Sequence, residues 1–213
     1  MLQIQAFTFN PFSENTYLLS DADKNCWIID PGMSDGREWG QLMQVIESGG
    51  LRPQAVFNTH AHIDHILGIP ALTGKYNIPF ALHPLDAPVL MGAGASALMF
   101  GIGAFTPPVV TQHLSEEIPL RLGEHTLKVL LTPGHSPGSV CFYNEKDGWV
   151  IGGDVLFNGS VGRTDLPGGH TETLMNSIRT QLYTLPDEVV VYPGHGPATT
   201  IGAEKKSNPF VQG

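Results

Sequence analysis

The sequence predicts an α+β fold in which two packed β-sheets carry helices on their outer faces. Three observations predict it. The chain's 213 residues suit one large domain or two small ones and suffice to enclose a sizeable core. No repeat or low-complexity linker interrupts them. The elements run twice through the same series, strands then a helix then a strand, and two stacked sheets with helices outside satisfy both halves.

Taken in order, residues 4–9 are rich in β-formers, residues 15–19 follow a Pro turn, and residues 26–29 stop at Asp30-Pro31-Gly32. Residues 36–48 place Trp39, Leu42, Met43 and Ile46 at helical spacing, and Gly49-Gly50 ends that helix. Residues 55–57, Ala-Val-Phe, form a short buried strand. In the second half, residues 126–131, 139–143 and 149–151 read as strands. Residues 171–183 read as a helix through Leu174, Ile178 and Leu182. Residues 189–191 are a further buried strand, ended by Pro193-Gly194.

Composition removes several classes. A hydrophobic share of 41% excludes a disordered or fibrous chain. With 25 Gly and 17 Pro, many turns and long loops are expected. Eleven Lys and Arg stand against 20 Asp and Glu, a net charge of −9. That surface argues against a nucleic-acid-binding module and against docking on anionic lipid. An anionic substrate would need a local positive site, a metal or a few placed Arg and Lys. Cys26 and Cys141 lie in apolar strand-like stretches and fit neither a CxxC pair nor a disulfide framework. The first residues show no basic segment followed by an apolar run, so a cytoplasmic location is expected. Residues 89–105 are uncharged but short of a membrane span. They read as an apolar loop or a short helix with a Gly-rich exit. Their role is open between an acyl or thiol pocket, core and a dimer contact.

The strongest chemical signal is Thr59-His60-Ala61-His62-Ile63-Asp64-His65, directly after a buried strand. His60 and His62, two apart in an extended loop, point the same way. Asp64 and His65 are offset and aim at a second position. Imidazole and carboxylate together suit zinc, iron and other transition metals, and four ligand-type side chains suggest two ions rather than one. Three more candidates follow strands in Gly or Pro contexts: His135 in Thr-Pro-Gly-His-Ser-Pro-Gly, Asp154 in Ile-Gly-Gly-Asp, and His195 in Tyr-Pro-Gly-His-Gly-Pro. Each ends an apolar strand, so all can converge on one edge of the sheets.

With HxHxDH followed by His135, Asp154 and His195 in these contexts, the chain resembles the metallo-β-lactamase superfamily over essentially its whole length. Gly162-Arg163-Thr164-Asp165, Pro193-Gly194-His195-Gly196-Pro197 and Ser207-Asn208-Pro209-Phe210 are similar to the short bacterial glyoxalase II (hydroxyacylglutathione hydrolase) family. The resemblance implies one domain over residues 1–213, an αββα sandwich of two mixed sheets covered by helices. It implies a dinuclear centre, with one divalent metal on His60, His62 and His135 and another on Asp64, His65 and His195. Asp154 would bridge them. Zinc is the first expectation, and iron and manganese accept the same ligands. The implied partner is a small thioester, foremost S-D-lactoylglutathione, cleaved to D-lactate and glutathione. A metal-bridging hydroxide would attack the carbonyl, with Asp64 orienting that water or accepting its proton. The thiolate leaves readily because thiols have pKa values near about 8.5. The remaining His83, His113, His125 and His170 match no ligand position and read as surface or structural.

The chain departs from the longer glyoxalase II pattern after His195, where a C-terminal helical domain would bind the glutathione carboxylate. Arg163 is the expected local substitute, with Lys205 and Lys206 as further candidates to close over the site. The closest rival within the superfamily is a persulfide dioxygenase, whose single iron would use His60, His135 and Asp154. A β-lactamase is less expected, because such enzymes usually carry a leader. From another class, a non-hydrolytic metal-binding or electron-transfer module would need a flavin domain supplied by a partner chain.

Overall fold

Alternation along the strands decides the layering, as seen in a computed structural model that describes residues 1–212. The first sheet holds β1 (Gln3–Phe9), β2 (Glu14–Ser20), β3 (Asn25–Ile29), β4 (Arg52–Phe57), β5 (Phe80–Leu82) and β6 (Gln112–His113), in that order. Its first two pairings are antiparallel and the rest parallel. The second holds β7 (Leu120–Leu122), β8 (His125–Leu131), β9 (Val140–Asn144) and β10 (Trp149–Gly153). After a small hairpin, β11 (Leu156–Phe157) with β12 (Ser160–Val161), the chain adds β13 (Val190–Pro193) and β14 (Thr199–Thr200). The spatial order is β14-β13-β10-β9-β8-β7, with only the β10–β13 pair parallel among them.

In β3, Trp27 and Ile29 face the other sheet while Cys26 and Ile28 face helices. In β9, Val140 and Phe142 face the first sheet while Cys141 and Tyr143 face helices. Period-two side chains on two-sided strands therefore build three apolar layers. The middle layer locks through aromatic rings: Trp27 meets Phe57 at 4.7 Å, and Phe57 reaches Phe142 of the opposite sheet at 6.3 Å. Phe57 is the last residue of β4, so this packing fixes the base of the histidine-rich loop. Both cysteines are free and buried, as the apolar reading expected.

Helices α1 (Gly36–Gly49), α2 (Ile69–Tyr76) and α3 (Ala87–Met99) cover the first sheet as crossovers between its parallel strands. Asp35 caps α1 by accepting from Glu38 N–H, and Gly50 ends it in the left-handed region at φ 61°. Helices α4 (Thr171–Ser177) and α5 (Ile201–Ser207) cover the second sheet. The expected helix over residues 171–183 changes character inside: α4 gives way at Ile178–Leu182 to a wider π-helical turn. Leu174, Ile178 and Leu182 are nonetheless all buried, so the apolar spacing was sound. Residues 89–105 resolve into most of α3 and its Gly-rich exit. Among the described residues, no helix is long and apolar enough to cross a membrane.

Candidate metal centre

Four strand ends deliver the chemistry to one edge of the sandwich: β4 leads into residues 58–65, β8 into His135, β10 into Asp154 and β13 into His195. The loop after β4 is held from several sides. Asn58 Nδ2 donates to the carbonyls of His60 at 3.2 Å and His65 at 2.9 Å. Asp30, at the end of β3 with φ 49°, accepts from Thr59 N–H at 2.7 Å and from its hydroxyl. Asp86, just before α3, accepts from Ala61 N–H. A short helical turn, Ile63–His65, then brings Asp64 and His65 to the second group, with the His65 ring packed against His60 at 4.2 Å. Gly194 lies against the Asp154 carboxylate so closely that any side chain there would collide.

The seven candidate ligands meet in two groups. His62 Nδ1 and His60 Nε2 approach His135 Nε2 at 2.8 and 3.2 Å. His65 Nε2 and His195 Nε2 approach Asp64 Oδ2 at 3.6 and 3.2 Å. Asp154 stands between the groups: Oδ1 is 3.4 Å from His65 Nε2, while Oδ2 is 3.5 Å from His135 Nε2 and 3.4 Å from His195 Nε2.

The ring tautomers follow from what stands behind each histidine. His135 Nδ1 is 2.8 Å from the Arg163 carbonyl and His195 Nδ1 is 3.0 Å from the Phe12 carbonyl. A carbonyl only accepts, so each Nδ1 carries a hydrogen, and the neutral ring keeps its Nε2 lone pair for the centre. His65 Nδ1 faces the Asp30 carboxylate at 3.2 Å, and His60 Nδ1 faces the Thr59 hydroxyl at 3.0 Å, with the same result. His62 alone points Nδ1 inward. Asp30 also lies within reach of His60 and His65 as a third potential grouping. Its oxygens are already engaged by Thr59, so it reads as a support.

The two groups differ in charge. Burial and then the neighbouring histidines hold His60 well below the usual imidazole range. Burial and then His135 push His62 down to about 3. In the other group burial works in the same direction, but the carboxylates win: Asp64 and Asp154 hold His65 well up, and Asp154 with Asp64 lifts His195 to about 9. Burial would raise Asp154 too, and His65 and His195 overcome it, keeping it ionised.

A cation fits this donor set. His65 Nε2 and Asp154 Oδ1 are fully buried and have no hydrogen-bond partner among the described residues. Buried polar atoms are rarely left so, and a metal between them satisfies both. One ring nitrogen from each of His60, His62 and His135 also lies within 4.8 Å of the other two, a spacing that a metal can bridge.

Beside the cluster lies a cavity of about 600 Å³ whose floor is His62, Asp64, His135, Asp154 and His195. Arg163 lines it, but its guanidinium is forked onto Asp165 at 2.7 and 2.8 Å. Lys205 and Lys206, expected near the site, are not brought to it. Their helix, α5, packs through Ile201 on the outer face of the second sheet, and the Lys205 ammonium is bound by Asp187 at 2.7 Å and the Leu185 carbonyl at 3.2 Å. The other histidines serve structure where their contacts show it: His83 accepts from Leu85 N–H beside Glu116, and His170 caps α4. Asp30, Asn58 and Asp86 escaped the sequence reading. Asp30 had a signal, since Asp30-Pro31-Gly32 is a strand end of the same kind as the ligand loops; Asn58 and Asp86 had none.

The comparisons agree with this geometry. The family model described as the metallo-beta-lactamase superfamily matches residues 9–195. The probable metallo-hydrolase YqgX of Bacillus subtilis (strain 168) is 42% identical over 95% of this chain and 94% of its own. The hydroxyacylglutathione hydrolase GloC of Haemophilus influenzae is 36% identical over 99% of this chain and 98% of its own. Among solved structures, the BLEG-1 B3 metallo-beta-lactamase superposes with a TM-score of 0.88 at 38% identity, covering 99% of this chain and 100% of that one. TTHA1623 in a di-iron-bound form gives 0.86 at 41% identity, covering 97% and 100%. A matching family model over most of the chain, full-length relatives above one-third identity and a complete His/Asp cluster lead to one conclusion: this chain belongs to the metallo-β-lactamase superfamily.

Proposed function

We propose that the chain is a metal-dependent hydrolase of small thioesters, with S-D-lactoylglutathione, giving D-lactate and glutathione, as the leading substrate. The observation that carries this is the Asp154 carboxylate set between two three-residue ligand groups at the floor of an open cavity. In this reading His60, His62 and His135 would hold one divalent ion and Asp64, His65 and His195 a second, with Asp154 available to both. Bound there, the ions supply an acidified water and a Lewis acid for a carbonyl oxygen.

The chain's own residues do the rest. Asp64 lines the cavity, so the carboxylate oxygen that it would not give to the ion is available to orient the attacking water and take its proton. The backbone carbonyls of Phe12 and Arg163 keep His195 and His135 in the ligating tautomer. A thiolate leaves without help from an acid, so no further proton donor is needed. The identity with the Haemophilus hydroxyacylglutathione hydrolase supports the choice of thioester. The donor set accepts zinc, iron and manganese, and the di-iron-bound neighbour keeps iron beside zinc.

Metal analysis of the purified chain, paired with hydrolysis of S-D-lactoylglutathione followed at the thioester absorbance, tests the reading. Close to two ions per chain with rapid hydrolysis is expected. A single iron with O₂ uptake on glutathione persulfide and no hydrolysis overturns it in favour of a dioxygenase. Two ions with turnover of β-lactams and not thioesters overturns the substrate class.

A further inference from the structure

We propose that, besides the short lactoyl group, the cavity beside the metal centre admits thioesters with a longer apolar acyl chain, laid along α3 and bound more tightly as it lengthens; the thioester part of this rests on the function proposed above. The floor of the cavity is charged and, Arg163 apart, its walls are not. Val89, Met99 and Phe100, in and just after α3, line it together with Phe12, Phe157 and Leu166. Phe12 and Phe100 meet edge to face at 5.6 Å, so the apolar surface is continuous from α3 to the loop of Phe12. α3 contributes no charge over its 13 residues. Met99 is 73% and Phe100 40% exposed, an uncovered apolar surface at a reactive centre. A volume of about 600 Å³ is that of a small-molecule site.

The choice of the acyl arm follows from charge. Cellular thiol carriers bear carboxylates or phosphates and are held by cations. Outside the metal cluster the one charged side chain lining this cavity is Arg163, which is exposed and can meet a single carboxylate of the carrier, and the apolar wall on α3 offers the carrier no cation. The acyl group is the arm free to be apolar.

Gly92 makes the inference testable. It lines the cavity, and a side-chain carbon added there would meet nothing within 4 Å. Gly92→Leu puts bulk into the acyl space, and Leu is a better helix former than Gly, so the fold is retained.

The metal-loaded protein is assayed on the glutathione thioesters of acetate, butanoate, hexanoate and octanoate. In parallel, binding of the four free carboxylates, the reaction products, is measured by calorimetry. For each added methylene, kcat/KM is expected to rise, and Kd to fall, about threefold to fourfold until the cavity is filled. Gly92→Leu is expected to collapse the octanoate-to-acetate ratio in both series. Kd values that do not depend on chain length, or a ratio untouched by Gly92→Leu, overturn the apolar acyl site, whatever the enzyme hydrolyses. Chain-length-dependent Kd values with no thioester turnover uphold the site and overturn the thioester reading instead.

Discussion

The Asp86 carboxylate accepts a hydrogen bond from the backbone N–H of Gly138 at 2.9 Å, and its other oxygen accepts from Ala61 N–H. One buried side chain at the start of α3 thus ties the loop of His60 and His62 to the loop of His135 and to the wall of the cavity. Asp86→Ala leaves two buried N–H groups unpaired, at about 1–3 kcal/mol each. The expected outcome is an unfolding free energy lower by about 2–6 kcal/mol, read by urea denaturation of the metal-free protein. Metal affinity is expected to fall about tenfold or more, as for other supports behind ligands. An unchanged affinity in a folded variant would show that the two loops hold their places without the clamp.

Asp154→Ala tests the shared carboxylate. Its oxygens lie within 3.5 Å of His65, His135 and His195, so its loss opens both ligand groups. Hydrolysis is expected to drop on the order of 100-fold or more, with metal content falling below two ions per chain. Full occupancy with full turnover would remove Asp154 from the centre.

How far the sequence reached follows from which signals are local. All seven residues that gather in the cluster were legible, because they follow apolar strands in a Gly, Pro or His-rich context that one segment displays by itself. The strands of the middle layer and α1 were legible from periodicity. β5, β6 and β14 were less so, since strands of two or three residues carry no period. α2 is eight residues long with Pro in its first turn, too brief for a helical pattern to build up. Asp86 was invisible for a different reason: its partners Ala61 and Gly138 lie 25 and 52 residues away, and their meeting is a property of the fold. Lys205 and Lys206 were misplaced because adjacency in sequence to the Asn-Pro-Phe segment does not fix which face of the second sheet α5 covers.

Arg163 and the two lysines separate substrate contact from ordinary surface. Arg163 lines the cavity, and its exposed pair with Asp165 is easily exchanged for a substrate carboxylate. Arg163→Ala is expected to raise KM for lactoylglutathione more than it lowers kcat, with no measurable shift in the unfolding midpoint. The backbone carbonyl that orients His135 is retained in this variant. Lys205→Ala and Lys206→Ala are expected to leave KM unchanged. A KM untouched by Arg163→Ala would remove its substrate role.

Metal uptake is expected to release protons. In the metal-free chain the carboxylates raise His195 from its ordinary 6.5 to about 9, so it is protonated at pH 7.5. A value raised on folding adds stability that is fully present below pH 6.5 and is lost as the pH climbs through about 9. A ligand must be neutral, so metal binding displaces that proton, whereas His62, at about 3, has none to lose. Apparent metal affinity should therefore climb between pH 6.5 and 9, with proton release visible in calorimetry as a dependence on buffer ionisation enthalpy. Affinity independent of pH across this range would mean that His195 stays neutral without metal.

Two glycines two residues apart give the sharpest contrast between space and backbone. At Gly194 an added side-chain carbon would strike the Asp154 carboxylate and the His65 ring. Neither can yield without leaving the centre, so Gly194→Ala is expected to fold yet lose metal, by roughly tenfold or more in affinity. At Gly196 the same carbon would meet nothing within 4 Å, but the backbone is left-handed at φ 75°. Gly196→Ala is expected to cost about 1 kcal/mol of stability and leave metal content intact. Parallel denaturation and metal titration of the two variants check both halves. If Gly194→Ala bound metal as tightly as Gly196→Ala, the close contact with Asp154 would have no bearing on how the centre is built.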